Sequence, residues 1–204
     1  MELTGIPERA HPEHEGFARR WLKFSPSRKC LYERYRFCNR YIRRKVVLDI
    51  PCGVGWGTSL LRGAKRTYGM DICREAVRYA CVHFRKCARY GIGSMEFLPF
   101  KDNSFDVVIC LEGMEHVELE ICRRFIEEVR RVLTPYGLLI ATVPLLSEGK
   151  HSGNPFHIHE FEKQEAEQML CEAFRKKYLE EFDGPGAREI RFVGENRKSG
   201  GPLT

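Results

Sequence analysis

No stretch of this 204-residue chain is both long and apolar enough to span a bilayer. The longest apolar run, Leu138–Leu146, is broken by Thr142 and Pro144 and falls well short of the ~20 residues that a membrane helix needs. The opening stretch, Met1–Gly16, is polar, acid-containing and proline-bearing, so it matches neither a secretory signal nor a transit peptide. These absences predict a cytoplasmic protein. The nine cysteines (30, 38, 52, 73, 81, 87, 110, 122 and 171) contain no Cys-x-x-Cys pair. Several, such as Cys110 and Cys122, occupy apolar positions of predicted elements, so reduced core thiols are expected rather than a zinc site or a disulfide framework. No internal repeat is visible, and the length suits one domain with a full sheet covered by helices on both faces.

An excess of positive charge is missing outside one region. The net charge is +6, yet residues 1–45 hold 12 Lys/Arg against 5 Asp/Glu, and the remainder is close to neutral with 22 against 23. A solvated basic helix accounts for this. So does a basic lid that attracts an anionic acceptor such as a nucleotide-sugar, a phospholipid-linked glycan or an RNA end.

The dinucleotide fingerprint is also missing. In Val46-Val47-Leu48-Asp49-Ile50-Pro51-Cys52-Gly53-Val54-Gly55-Trp56-Gly57-Thr58, a buried-strand pattern ends in an acid and runs into a glycine turn. Gly-x-Gly-x-x-Gly counted from Gly53 would need glycine where Thr58 stands; the run is Gly-x-Gly-x-Gly. Such a turn lets backbone approach a ligand, as in the mononucleotide-binding half of an open α/β sheet. Asp71 ends the next predicted strand, 22 residues after Asp49, where an acid can accept hydrogen bonds from both ribose hydroxyls.

The pattern predicts helices over Phe17–Phe24, Lys29–Arg44, Trp56–Gly63, Arg74–Arg85, Leu119–Leu133 and Glu162–Phe174. Strands are expected at Val46–Ile50, Thr67–Met70, Ala88–Ile92, Phe105–Leu111 and Leu138–Val143. A late antiparallel hairpin, Tyr178–Phe182 with Glu189–Val193, should turn around Gly184-Pro185-Gly186. Alternating strands and helices imply a mainly parallel sheet.

The acid-then-glycine turn resembles motif I of the class I S-adenosylmethionine-dependent methyltransferases. Leu98-Pro99-Phe100, Asn103-Ser104-Phe105-Asp106-Val107-Val108, Glu115-His116, Arg131-Val132-Leu133, Pro135-Tyr136-Gly137-Leu138 and Asn154-Pro155-Phe156-His157 follow in the order seen in a branch associated with O-antigen and other glycan biosynthesis. Thr4-Gly5 and Glu33-Arg34-Tyr35 fit it too, so the resemblance covers nearly the whole chain. It implies a Rossmann-like α/β fold of seven mostly parallel strands with an antiparallel last strand and an N-terminal helical lid. Residues 1–45 would form the lid, 46–194 the core and 195–204 a flexible tail. It also implies S-adenosylmethionine as donor and S-adenosylhomocysteine as product. Asp49, Pro51, Cys52, Gly53, Gly55 and Gly57 would hold the methionine part, with Asp49 near its ammonium group. Asp71 and Ile72 would serve the ribose side, Ser94 and Met95 the adenine, and Leu111 and Glu112 the end of the fourth strand. Two positions depart from the family: Pro51 replaces a glycine, and Ser94 replaces an acid that contacts the adenine amine.

Glu115 and His116 are the candidate catalytic residues, because an alcohol acceptor must lose a proton as it is methylated. A sugar or small polyhydroxylated acceptor, methylated on oxygen, is the leading expectation, with no dedicated metal ligands. Glu112, Glu115, His116 and His159 are nevertheless similar to the metal site of small-RNA 3′-terminal 2′-O-methyltransferases and of quinone-type O-methyltransferases. That likeness makes metal-assisted methylation an alternative, and a non-catalytic donor-binding partner protein is another. His151, His157 and His159 are expected in a loop closing over the acceptor, and His11 and His14 could join the same lid.

Overall fold

The computed structural model describes residues 26–146, 150–184 and 187–197. The predicted helix Phe17–Phe24, His11, His14 and the tail from residue 198 lie outside them. Seven strands form one sheet: β1 (Val46–Asp49), β2 (Arg66–Asp71), β3 (Arg89–Ile92), β4 (Phe105–Leu111), β5 (Leu133–Pro144), β6 (Phe174–Gly184) and β7 (Ala187–Asn196). Their order is β3-β2-β1-β4-β5-β7-β6. The pairs from β3 to β5 are parallel, whereas β7 runs antiparallel to both β5 and β6. This is the Rossmann-like architecture expected, with β7 as the reversed strand.

Among the described residues four α-helices cover the sheet: α1 (Pro26–Cys38), α2 (Arg74–His83), α3 (Leu119–Val132) and α4 (Lys163–Ala173). Alternation along β4 assigns its residues to two cores. Val107, Ile109 and Leu111 pack with Tyr35, Phe37, Cys38 and Ile42 from α1 and the turn after it. Val108 and Cys110 pack on the other face with Cys122, Phe125, Ile126 and Val129 of α3. With both faces covered, β4 reads as one apolar run, as buried parallel strands do. The exception, Asp106, is half-buried and accepts the Val46 N–H at 2.8 Å. All nine cysteines are free thiols, and Cys38, Cys52, Cys110 and Cys122 are buried.

Several elements differ from expectation, and the hairpin strands β6 and β7 are both longer than the predicted Tyr178–Phe182 and Glu189–Val193. The helix predicted over Trp56–Gly63 is a single 3₁₀ turn, Thr58–Leu60. The Tyr35 ring lies so close over Gly57 that a Cβ there would stand 2.1 Å from its Cε2, so α1 occupies the space a longer helix would fill. Helix α1 itself stops at Cys38 rather than Arg44. Asn39 follows, donating to the Leu60 carbonyl and accepting from the Arg62 N–H, and Arg44 is left-handed at φ 61°. Strand β5 starts at Leu133, five residues early, and its register with β4 slips between Leu133 and Leu138, where Pro135-Tyr136-Gly137 sits.

The Arg131 guanidinium explains two of the sequence motifs together. It donates to the Leu98 and Phe100 carbonyls at 2.8 and 2.7 Å and pairs with Glu128 and Asp102. The loop ahead of β4 is thereby tied to α3. The carboxyl ends of β1, β2 and β4 meet where the strand order reverses beside β1, the place where open α/β sheets form a ligand crevice. Among the described residues no helix is long and apolar enough to cross a membrane.

Candidate active site

A cleft of about 720 Å³ opens at that carboxyl edge. Its volume lies within the ~300–1,000 Å³ range of small-molecule sites. One half is built on the glycine turn. Cys52 N–H donates to the Met70 carbonyl at 2.7 Å, and Gly53 N–H donates to Asp71 Oδ2 at 2.8 Å, so the turn is stitched to β2. Gly53 has φ 54°, a left-handed value that favours glycine. Pro51 lines the cleft and its ring lies over Gly113, where a Cβ would come within 2.4 Å of Pro51 Cδ. Gly113 is thus what accommodates proline at this position.

Asp71 is buried, with its second oxygen accepting the Cys73 N–H at 2.9 Å. It therefore joins the glycine turn to the start of α2 while lining the cleft. Ile72 beside it is 70% exposed, an apolar ledge at the cleft wall. Cys52, Gly53, Gly57, Ser94, Met95, Leu111 and Glu112 also line the cleft. Ser94 Oγ accepts the Glu96 N–H at 3.1 Å.

Asp49 and Gly55 lie elsewhere. Gly55, at φ 80°, faces Ala80 and Tyr90, where it permits α2 and β3 to close in. Asp49 is buried beneath the turn, its Oδ2 accepting from Tyr35 Oη at 3.0 Å and Thr58 Oγ1 at 2.6 Å. Burial raises its carboxyl pKa to about 7, against the lowering effect of those two hydrogen bonds. Its Oδ1 receives no hydrogen bond among the described residues.

Behind Glu112 lies a buried ionic network that local spacing does not announce. Arg34 Nη2 is 2.9 Å from Glu112 Oε2, and Arg34 Nε donates to Glu189 Oε2 at 2.7 Å. Arg191 Nε donates to Glu189 Oε1 at 2.7 Å, and the Arg191 guanidinium lies 3.9 Å from the Phe182 ring centroid. Thr142 Oγ1 donates to Glu112 Oε1 at 2.8 Å. Burial opposes the charge on Arg34, yet Glu112 and Glu189 outweigh it and raise its pKa. Burial likewise pushes the Glu112 carboxyl up, against the pull of Arg34. Glu189 and Arg191 are two residues apart on β7, and their alternation with Ile190 and Phe192 is the one trace of this network in the sequence.

The other half of the cleft rests on a 3₁₀ turn, Met114–His116, after β4. The Glu115 carbonyl accepts the N–H groups of Ile158 and His159 at 2.8 and 3.1 Å, pinning the 154–159 loop over the turn. His116 Nδ1 lies 3.0 Å from the Phe156 carbonyl. A carbonyl only accepts, so Nδ1 carries the hydrogen and the neutral ring presents Nε2 as its base. Nε2 lies 3.7 Å from Glu115 Oε1.

His157, expected in a loop closing over the acceptor, lines the cleft with its ring centroid 5.3 Å from that of His116. Its Nδ1 lies 2.7 Å from Glu160 Oε1. Burial alone would raise the Glu160 carboxyl, but hydrogen bonds from Ser152 and His157 bring it down. A side-chain ligand atom from each of Glu115, His116 and His157 falls within 4.8 Å of the others. The quartet suggested by resemblance is not gathered: Glu112 is committed to Arg34 and Thr142, and His159 Nε2 contacts both Glu165 oxygens at 3.1 Å.

Residues 48–141 match the family described as Methyltransferase domain. A probable S-adenosylmethionine-dependent methyltransferase of Mycolicibacterium smegmatis is 32% identical over 152 residues, 71% of this chain and 58% of that protein. The chain spans about half the length of the curated relatives it matches, with 58%, 53% and 47% covered in three of them. Among solved structures, the N-methyltransferase NodS of Bradyrhizobium japonicum in complex with S-adenosyl-L-homocysteine aligns with a TM-score of 0.73. It shares 18% identity, with 87% of this chain and 91% of that one covered. A protein of Pyrococcus horikoshii aligns at a TM-score of 0.71 with 22% identity, covering 89% of this chain and 100% of that one.

Proposed function

We propose that the chain is a class I S-adenosylmethionine-dependent methyltransferase that O-methylates a sugar or other small polyhydroxylated acceptor. The cleft suits the donor on this chain's own geometry: glycine backbone lines one wall, and Asp71 stands at the end of β2. In this reading Pro51, Cys52, Gly53 and Gly57 hold the methionine end. Asp49 and Gly55 support that turn from beneath. Asp71 and Ile72 take the ribose, Ser94 and Met95 the adenine, and Leu111 and Glu112 close the wall opposite.

The donor supplies an electrophilic methyl group on a sulfonium and leaves as S-adenosylhomocysteine. A hydroxyl oxygen of the acceptor forms the new C–O bond as the C–S pair returns to sulfur, and its proton passes to Nε2 of His116. Glu115, 3.7 Å from that nitrogen, then faces an imidazolium it stabilises. The carrying observation is the Phe156 carbonyl on His116 Nδ1, which fixes the tautomer that leaves Nε2 basic at the cleft.

The test is transfer of isotope-labelled methyl from S-adenosylmethionine to glycan and polyol fractions. His116→Ala should lower turnover by about 10²–10⁴-fold while S-adenosylhomocysteine affinity stays near wild type. Equal turnover would remove His116 from the mechanism. Donor binding without product from any fraction would favour a non-catalytic donor-binding partner.

The Glu115, His116 and His157 cluster supports a second reading, metal-assisted methylation of an RNA 3′ end or a quinone-type acceptor. Each imidazole directs Nδ1 at an outer acceptor, Phe156 O or Glu160, as metal-bound histidines do. Calorimetry with Mn²⁺ decides: saturable binding lost in His157→Ala favours it, and no binding excludes it.

A further inference from the structure

The half of the cleft that would hold the acceptor is polar at its floor and apolar at its rim. Glu115, His157 and His116 form the floor, at 1%, 14% and 32% side-chain exposure. The rim is Val117, Ile121, Pro155, Phe156 and Ile158. Phe156 and Ile158 are 42% and 59% exposed. Their loop does not hold them there loosely. Phe156 N–H donates to Asn154 Oδ1 at 3.0 Å, His157 N–H to the Asn154 carbonyl at 3.1 Å, and Ile158 N–H to the Glu115 carbonyl at 2.8 Å. The Phe156 carbonyl in turn accepts from His116. The backbone that places the imidazole is therefore the backbone that holds two large apolar side chains at the cleft mouth.

A sugar alone offers hydroxyl groups to such a rim and gains little from it, because apolar surface contributes by being removed from water. We propose that the acceptor is amphipathic: a hydroxylated head reaches His116 and an alkyl or isoprenoid chain lies against Val117, Ile121, Pro155, Phe156 and Ile158. This rests on the reading of the cleft as a site of hydroxyl methylation and specifies its substrate class. The tail is assigned to the rim because Val117, Ile121, Pro155, Phe156 and Ile158 line the same cleft as His116, and the Phe156 carbonyl contacts the His116 ring directly.

The test uses 1,2-alkanediols, which keep one minimal hydroxylated head and vary only the tail. The full chain, saturated with S-adenosylhomocysteine, is titrated by calorimetry with 1,2-butanediol and 1,2-octanediol below micellar concentration. The four additional methylenes should tighten binding at least tenfold, about 1.4 kcal/mol. Ile158→Asp and Phe156→Ser, each checked for folding by circular dichroism and for unchanged S-adenosylhomocysteine affinity, should abolish most of that gain. Equal affinity for the two diols, no diol binding, or a chain-length gain that survives both substitutions would overturn the proposal. The last outcome would place the tail elsewhere, and the first two would fit a rim covered by another segment of this chain or by a second copy. Loss of S-adenosylhomocysteine binding in the unsubstituted protein would instead defeat the methyltransferase reading itself, so the two failures are separable.

Discussion

Asp71→Asn removes one charge and one acceptor from the point where the glycine turn, α2 and the cleft meet. In the native protein Asp71 Oδ2 accepts from Gly53 N–H at 2.8 Å and Oδ1 from Cys73 N–H at 2.9 Å. An amide nitrogen must face one of these two donors, so one buried N–H loses its partner. A hydrogen bond to a charged group contributes about 1.5–3 kcal/mol, and an orphaned buried donor carries a similar penalty, so stability should fall by about 2–3 kcal/mol. Donor binding should weaken for a second reason, since a ribose hydroxyl would meet a neutral amide rather than a carboxylate. A loss of about 1.5–3 kcal/mol corresponds to roughly 10–150-fold in affinity for S-adenosylhomocysteine. Calorimetric titration measures the affinity, and urea unfolding followed by circular dichroism measures the stability. Affinity within twofold of wild type, in a variant that has lost stability, would leave Asp71 as a brace for the turn and refute its assignment to the ribose.

Asp49 sets a pH dependence. Burial lifts its carboxyl from 3.8 to about 7, so between those values the native state holds a proton that the unfolded chain releases. Stability from this group is full below pH 4 and is lost as pH rises toward 7, by at most ~4 kcal/mol. Asp49→Asn should flatten that part of the stability profile, and an unchanged slope in urea melts would contradict the assignment. Arg34→Ala would leave Glu112 and Glu189 without their shared cation, and a loss of about 3–5 kcal/mol is expected in the same melts; a loss below 1 kcal/mol would show that the network adds little. Gly57→Ala forces a Cβ to 2.1 Å from Tyr35 Cε2 and should destabilise by about 1–3 kcal/mol. Stability equal to wild type would show that α1 does not pack on the turn as described.

Strand β4 and helix α3 could be read from the sequence because their patterns are dense and local. Phe105–Leu111 is an uninterrupted run of β-formers save for Asp106, and Cys122, Phe125, Ile126 and Val129 recur on one helical face. The glycine turn and Asp71 were readable for a different reason, since φ values that favour glycine and strand-end acids have few substitutes. What escaped depended on partners far away in sequence. The short turn after Gly57 is set by Tyr35 of α1, and the start of β5 at Leu133 by its pairing with Phe105. In the site, His151, His157 and His159 fall in one loop of the sequence, and the fold separates their roles. His157 turns into the cleft because Glu160 takes its Nδ1, and His159 turns onto Glu165, ring against Phe161. The Arg34–Glu189 contact joins residues 155 positions apart, and no local pattern predicts it.

The claim on which the rest depends is that the cleft at the carboxyl edge binds the methyl donor. Calorimetric titration of the full chain with S-adenosylhomocysteine tests it without knowledge of the acceptor. Saturable one-to-one binding in the micromolar range, weakened by Asp71→Asn, is the predicted result. Absence of binding at millimolar nucleoside, in protein shown by circular dichroism to be folded, would mean that Pro51 and Ser94 have closed the pocket to the donor and would contradict the assignment.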